Sequence, residues 1–296
     1  MTTYYINADT GNDSTGDGSI TTPWLLLSKA HTEAASGDTI ICQDSTATYT
    51  FATINFTKSL TIQGEQSDAS GAVFDGGGAT VLWKVTASNV SLIIQKITIQ
   101  NIAVALNNAL IGMGVTSGDS ITIQLDNCIV HNITFSGTST RPSVILGCSP
   151  GYYYGTSITW NCNNTLIYDI NAENAADTAI FGSNRLTDNN CSVNINNCTI
   201  VVDSSTTPLS GLVCGGYNSA VPMNIINSIF ADVNGGALSF IGTRAITPVV
   251  TYSDLYASSP TTGAGVITSD PLFVDPDNNN YYLRPSSPCF NTGILL

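Results

Sequence analysis

Three aspartates, Asp169, Asp203 and Asp232, follow a repeated asparagine motif at nearly equal distances, lying five, six and five residues beyond Asn164, Asn197 and Asn227. Carboxyl groups about 5 to 10 Å apart are what glycoside hydrolysis needs, one to protonate the leaving oxygen and one to activate water or attack the sugar. The one-residue offset at Asp203 disturbs their register, and the competing reading is three solvated aspartates on an outer face. A lyase would instead need a Lys or Arg base beside a carboxylate-held calcium ion. Only eight basic residues are present, and Lys29, Lys58, Lys84, Lys96, Arg141, Arg185, Arg244 and Arg284 mark no basic groove.

Other chemistries find less. His31 and His131 are far apart, with no G-x-S-x-G near either, so no triad is expected. Asp9, Asn12, Asp13 and Asp17 resemble a calcium loop, but the twelfth position counted from Asp13 is Trp24 rather than Glu. A capping turn is expected there, with no cofactor or metal, calcium being the alternative. The eight cysteines lack CxxC or Cys/His spacing, which removes zinc and leaves core thiols. Cys191 and Cys198 are the pair that a bridge would join. Arg141 and the run Tyr152-Tyr153-Tyr154 fall in the longest inter-motif loop. Three consecutive tyrosines cannot all point inward, so stacking on a glycan or contact with a protein competes with packing back onto the chain.

Net charge is −13, which disfavours nucleic acid and anionic membranes as partners. No run approaches the roughly 18 to 20 apolar residues of a membrane span, and Met1 leads into Tyr4-Tyr5-Ile6 without a signal-peptide pattern.

The elements that must carry these residues are short strands. Hydrophobic residues make up 43% and charged residues 10% of the chain, too apolar for disorder and too weakly charged for a helical bundle. A six-residue pattern, apolar-polar-Asn-small-apolar-apolar, recurs as Leu125 to Val130, Cys162 to Ile167, Ile195 to Ile200 and Ile225 to Phe230, with weaker copies at Ile94 to Ile99 and Thr251 to Tyr256. Its third position falls at 96, 127, 164, 197, 227 and 253, and a step back reaches Gly64. Uneven spacing around a fixed core motif fits a β-solenoid, in which loops lengthen without disturbing stacked coils. The repeated Asn marks a bend that needs a left-handed residue. Asn127, Asn164, Asn197 and Asn227 are expected to stack as an amide ladder about 4.8 Å apart. Inner columns are expected along Ile99, Val130, Ile167, Ile200 and Phe230, and along Ile102, Ile133, Ile170 and Val233.

Both ends look specialised. Thr22-Pro23 is expected to open a short amphipathic helix over Trp24 to Ala35, covering the first coil and stopped by Gly37. Tyr4-Tyr5-Ile6-Asn7, Gly11-Asn12-Asp13, Thr22-Pro23-Trp24 and Gly37-Asp38-Thr39-Ile40 resemble the opening of pectate-lyase-like right-handed β-helix proteins. Asp270-Pro271-Leu272-Phe273-Val274-Asp275-Pro276, with Tyr282-Leu283-Arg284-Pro285 and Ser287-Pro288, is similar to that superfamily's closing segment. The resemblance implies an all-β, right-handed parallel β-helix solenoid with a short N-terminal capping helix. One domain is expected, with an N-terminal cap over 1–45, coils over 46–260 and a C-terminal cap over 261–296. It implies activity only weakly, because the superfamily includes lyases, hydrolases, epimerases, adhesins and tailspikes.

The reading that follows is a non-catalytic structural or recognition module, extracellular or on a virion surface, presenting loops to a glycan or a neighbouring subunit, with homo-oligomeric assembly expected. The alternative is a polysaccharide hydrolase or lyase acting on the outer face. Ice or mineral binding through Thr61, Thr98 and Thr122 ranks last, since these threonines share no single column.

Overall fold

A computed structural model describes residues 1–105, 109–113, 120–136, 144–148, 157–172, 179–183, 191–202, 211–215, 223–232, 238–242, 248–256, 258–259 and 263–294. β-Branched and aromatic residues alternating with polar ones make short strands, and each circuit of the chain lays one strand on each of three long sheets. The first sheet stacks nine strands, among them Asp38–Cys42, Leu60–Gly64, Val90–Gln95, Ser120–Asp126, Ser157–Asn163, Cys191–Asn196 and Met223–Ile226. The second includes Val73–Asp75, Thr98–Ala105, Ile129–Ser136, Leu166–Ile167, Thr199–Val202, Ile229–Asp232 and Asp254–Tyr256. The third runs from Ile54–Phe56 to Ser258–Ser259. All pairing within these sheets is parallel, the winding is right-handed, and the architecture is the parallel β-helix.

Register makes the core. Phe74, Ile99, Val130, Ile167, Ile200, Phe230 and Leu255 lie in one inner line, and Ile102, Ile133 and Ile170 in another, all of them buried. Val233, expected at the end of the second line, lies outside the described residues. Near the N-terminal end the lumen holds Trp83, stacked on Phe51 at 4.5 Å with Phe56 and Phe74 edge-on.

Between the first and second sheets the backbone turns left-handed at Lys96, Asn127, Asn164, Asn197, Asn227 and Tyr252, with φ between 48° and 57°. The marker in the last copy is therefore Tyr252, not Ser253. Gly64 keeps the register, Ile62 pairing with Ile94 and Gln63 with Gln95, but needs glycine for another reason. A Cβ there would lie 2.0 Å from the Lys96 carbonyl oxygen.

The amide ladder differs from expectation. At the bend, coil-to-coil bonding runs through backbone, Asn127 N to Asn163 O (3.1 Å) and Asn164 N to Asn196 O (3.0 Å). Asn164 donates its side-chain amide to Asp126 (3.1 Å), and Asn227 exchanges two bonds with Ile294 (2.7 and 2.9 Å). Direct amide-to-amide bonds occur instead on the outer face of the first sheet: Asn194 to Asn161 (2.9 Å), Asn224 to Asn194 (2.9 Å) and Asn196 to Asn163 (3.0 Å). At the bend the amides of Asn164 and Asn227 are taken up by Asp126 and the Ile294 backbone, whereas outward strand residues of neighbouring coils face one another directly.

One position past the bend, an inner column carries hydroxyls. Thr165, Ser228 and Ser253 each donate to the carbonyl two residues back (2.8 to 2.9 Å) and accept the backbone N–H of the coil below. Burying hydroxyls this way leaves none unsatisfied.

The N-terminal helix is shorter than expected, α1 (Leu27–Glu33). Trp24 bridges to Ile6 in extended conformation and donates its indole N–H to Gly16 O (2.9 Å), so Pro23 sits in a loop rather than at the first helical position. Asp13 receives the N–H groups of Leu25 and Leu26. Lys58 Nζ donates to the carbonyls of His31, Thr32 and Ala34, occupying the electronegative end of the helix. At the other end an antiparallel hairpin, Phe273–Asp275 with Asn280–Leu283, folds back onto the coils.

Candidate functional site on the outer face of the second sheet

The hairpin makes the site. Outward positions of the second sheet line up as Asp75, Gln100 and His131, with Tyr168 following Ile167 in the next coil, and then Val201, Ala231 and Tyr256. Phe273 covers Val201 and Ala231 in a small buried cluster bordered by Tyr168, Ile229, Tyr256, Tyr281 and Leu283. Covering stops at Tyr168. Its ring stacks flat on His131 (4.8 Å, 1°), and Tyr281 tilts against its other side (5.1 Å) while standing edge-on to Phe273 (5.4 Å). An aromatic line thus climbs from the open face onto the hairpin.

Beside it lies a groove of about 550 Å³. Ile129, Leu166 and Thr199, successive residues of the outermost column, form its floor, and the exposed bend residues Asn127, Asn164 and Asn197 form one rim. The loop Ser67-Asp68-Ala69 closes one end and Asn279-Asn280-Tyr281-Tyr282 the opposite wall, with Asn279 left-handed at the hairpin tip (φ 60°). Among the described residues that line it none is basic and Asp68 is the one carboxylate, held below the usual range by the Ser70 hydroxyl and N–H.

At the margin of the groove, His131 is half-buried. Burial lowers its pKa, while Asp169 and Asp75 pull the other way. Burial works to raise the Asp75 carboxyl, but bonds from Gln100 (2.8 Å), Gly77 N–H (2.6 Å) and Asn101 (3.0 Å), together with His131, bring it below the ordinary value. Burial, and then Asp169, raise the Tyr168 phenol. The set is an imidazole held mostly neutral between two carboxylates, next to a groove rich in amides and phenols.

Of the expected carboxylate trio, Asp169 and Asp232 are described, and the structure places these two differently. Asp169 is exposed at a left-handed corner shared with Asn101 and Asn132 (φ 51° to 56°). Asp232 is fully buried in its strand opposite Val202. Both follow their asparagine by five residues, but at Asp169 the chain turns and throws the side chain outward, whereas at Asp232 the strand runs on. Asp203, Arg141, Tyr152, Tyr153 and Tyr154 lie outside the described residues. The aspartates of the N-terminal segment serve its loops, as Asp9 with Thr46 and Ala47, and Asp17 with Ser19 and Thr22. No cluster of three or more metal-ligating side chains occurs among the described residues. Cys198 neighbours Cys162, their sulfurs 3.6 Å apart; nothing is described of the Cys191 side chain.

Sequence reasoning missed His131, Tyr168, Tyr281 and Tyr282. A signal existed for the first two: each stands four residues after a bend asparagine, giving aromatic rings at one outward position in successive coils.

The sequence matches no protein-family model and no curated protein. Among solved structures it is similar to the crystal structure of pectate lyase Pel9A, at 15% identity and a TM-score of 0.40, over 100% of this chain and 92% of that one. A second likeness is to a mannuronic acid specific polysaccharide family 6 lyase from human gut microbiota, at 9% identity and a TM-score of 0.20, over 91% of this chain and 83% of that one. Likenesses this distant assign neither a residue role nor a reaction.

Proposed function

We propose that this β-helix is a recognition module that binds a neutral, hydroxyl-rich glycan in the groove between the bend asparagines and the C-terminal hairpin. The observation that carries the reading is the groove lining: side-chain amides repeated at the coil spacing of about 4.8 Å along one edge, tyrosine rings along the other, and no base among the described lining residues. Amides supply paired donors and acceptors for sugar hydroxyls, and phenol rings offer flat apolar faces for the C–H side of a sugar ring. Acidic glycans suit it poorly. Asp68 lines the groove and the whole chain carries −13, so a polyuronate would meet repulsion. An extracellular or virion-surface setting accords with this role, and no described helix is long and apolar enough to cross a membrane.

Affinity electrophoresis through gels containing neutral or uronic polysaccharides tests the proposal. Retardation by a neutral glycan, weakened about fivefold by Tyr281→Ala, which corresponds to about 1 kcal/mol of stacking, is the expected result. Equal mobility in every gel, or retention that Tyr281→Ala leaves intact, overturns it.

A second reading, cleavage of the bound polysaccharide, has one observation in its favour: His131, mostly neutral between Asp75 and Asp169, has the environment of a general base. Release of reducing ends or unsaturated products, abolished by His131→Gln with glycan retention intact, would establish that reading in place of simple recognition.

A further inference from the structure

Two columns of the core run side by side along the rod, and at one coil step both carry cysteine. The column just before the bend reads Ile62, Ile94, Leu125, Cys162, Ile195, Ile225 and Val250 in register, aliphatic everywhere except at Cys162. The column just after it reads Ile97, Cys128, Thr165, Cys198, Ser228 and Ser253, and its hydroxyls bond the backbone as described above. A post-bend side chain reaches down to the coil below. Cys128 Sγ contacts Ile94 O (3.4 Å), and Cys198 Sγ contacts Cys162 O (3.2 Å) and Cys162 Sγ (3.6 Å). Of the successive pairings this makes, Ile94 with Cys128, Leu125 with Thr165, Cys162 with Cys198, Ile195 with Ser228 and Ile225 with Ser253, one joins two cysteines.

A serine at 198 would complete the hydroxyl column, and an isoleucine at 162 would complete the aliphatic one. Both columns instead carry cysteine where they touch, about 1.5 Å beyond the length of a disulfide bond, and each residue is 1% exposed. We infer that Cys162 and Cys198 are a cross-coil disulfide pair, joined while the chain folds in an oxidising environment. The bond forms by exchange with a small-molecule disulfide such as oxidised glutathione. One cysteine thiolate attacks the reagent and releases a glutathione thiol; the second attacks the mixed disulfide and releases another. Two protein thiols are oxidised to one S–S bond, one glutathione disulfide is reduced to two thiols, and the two protons pass to solvent and the leaving thiolates. The reaction belongs to folding, because in the closed coil the bond from Cys198 and burial hold the Cys162 thiol well above the ordinary range, where thiolate is scarce.

The test refolds the full chain from reduced, denatured protein in a glutathione redox buffer. Remaining thiols are alkylated under denaturing conditions, and mass spectrometry is run on fragments small enough to hold one cysteine each. The expected result is a linked Cys162–Cys198 fragment pair, two hydrogens lighter than the separate fragments together. The urea midpoint of the wild type should fall on adding reductant before folding, while that of Cys198→Ser, which restores the hydroxyl column and so folds, should not respond. Alkylation of both cysteines after oxidative refolding overturns the inference. So does pairing of Cys198 with Cys191, of Cys162 with Cys128, or a reductant response that persists in Cys198→Ser.

Discussion

Asp254 carries the strongest electrostatic prediction. It is 2% exposed, on the last described strand of the second sheet, and its Oδ2 accepts the Cys289 thiol (3.0 Å). Burial pushes its carboxyl up to about 6 from 3.8; the Cys289 bond opposes this and Asp270 adds to it. A gap of that size corresponds to about 3 kcal/mol. Between pH 4 and 6 the folded chain holds this proton more tightly than the unfolded chain, so the contribution of Asp254 to stability is most favourable below about pH 4. It is lost as pH rises to about 6, and above that the buried charge is a constant burden. Asp254→Asn removes the charge and keeps an oxygen for the thiol. At pH 7.5 the variant should be more stable than wild type by about 1 to 3 kcal/mol, and at pH 4 the two should nearly coincide. Urea unfolding followed by circular dichroism at both pH values gives the difference. Comparing variant with wild type cancels carboxylates such as Asp17, Asp38 and Asp75, whose lowered values give the opposite slope. A variant less stable than wild type at pH 7.5, or a difference independent of pH, would refute the reasoning.

Gly64→Ala should lower the urea-unfolding free energy by at least about 2 kcal/mol, because its Cβ would meet the Lys96 carbonyl at 2.0 Å and backbone must move. Asn164→Leu places a bulky side chain at φ 48° and deletes the exposed bond to Asp126; thermal denaturation should show a loss of about 1 to 3 kcal/mol, with Asn164→Gly costing less. Lys58→Met should remove the three donors at the end of α1 and speed amide hydrogen exchange in residues 27–35 while leaving the distant coils unchanged.

How much of this was legible depended on how local each constraint is. A left-handed bend restricts residue type strongly, so Asn127, Asn164, Asn197 and Asn227 announced themselves and fixed the register of the inner columns. Tyr252 occupies the same bend with a residue type that carries no such signal, and the count slipped by one there. The helix start was misplaced because Thr22-Pro23 has the right composition, while the deciding force is the burial of Trp24 against the first coil. The groove was invisible for a different reason: the loop at Ser67 to Ala69, three separate coils and the hairpin at Asn279 to Tyr282 meet only when the chain turns back on itself. Asp169 and Asp232 looked equivalent in offset, and only the backbone, turned at one and extended at the other, separates them.

Solenoids ordinarily gain and lose repeats with little consequence, since each coil touches only its neighbours. The folded-back hairpin withdraws that freedom. Phe273 seals Val201 and Ala231 while Tyr281 reaches Tyr168, so the hairpin measures a fixed number of coils along the rod. Duplicating or deleting one coil between Tyr168 and Tyr256 would displace the aromatic line by about 4.8 Å and take the groove apart. A coil added between Ala69 and Asn127 would likewise carry the Ser67 to Ala69 loop out of the groove, so a change in repeat number that keeps the groove whole is expected only before Ser67.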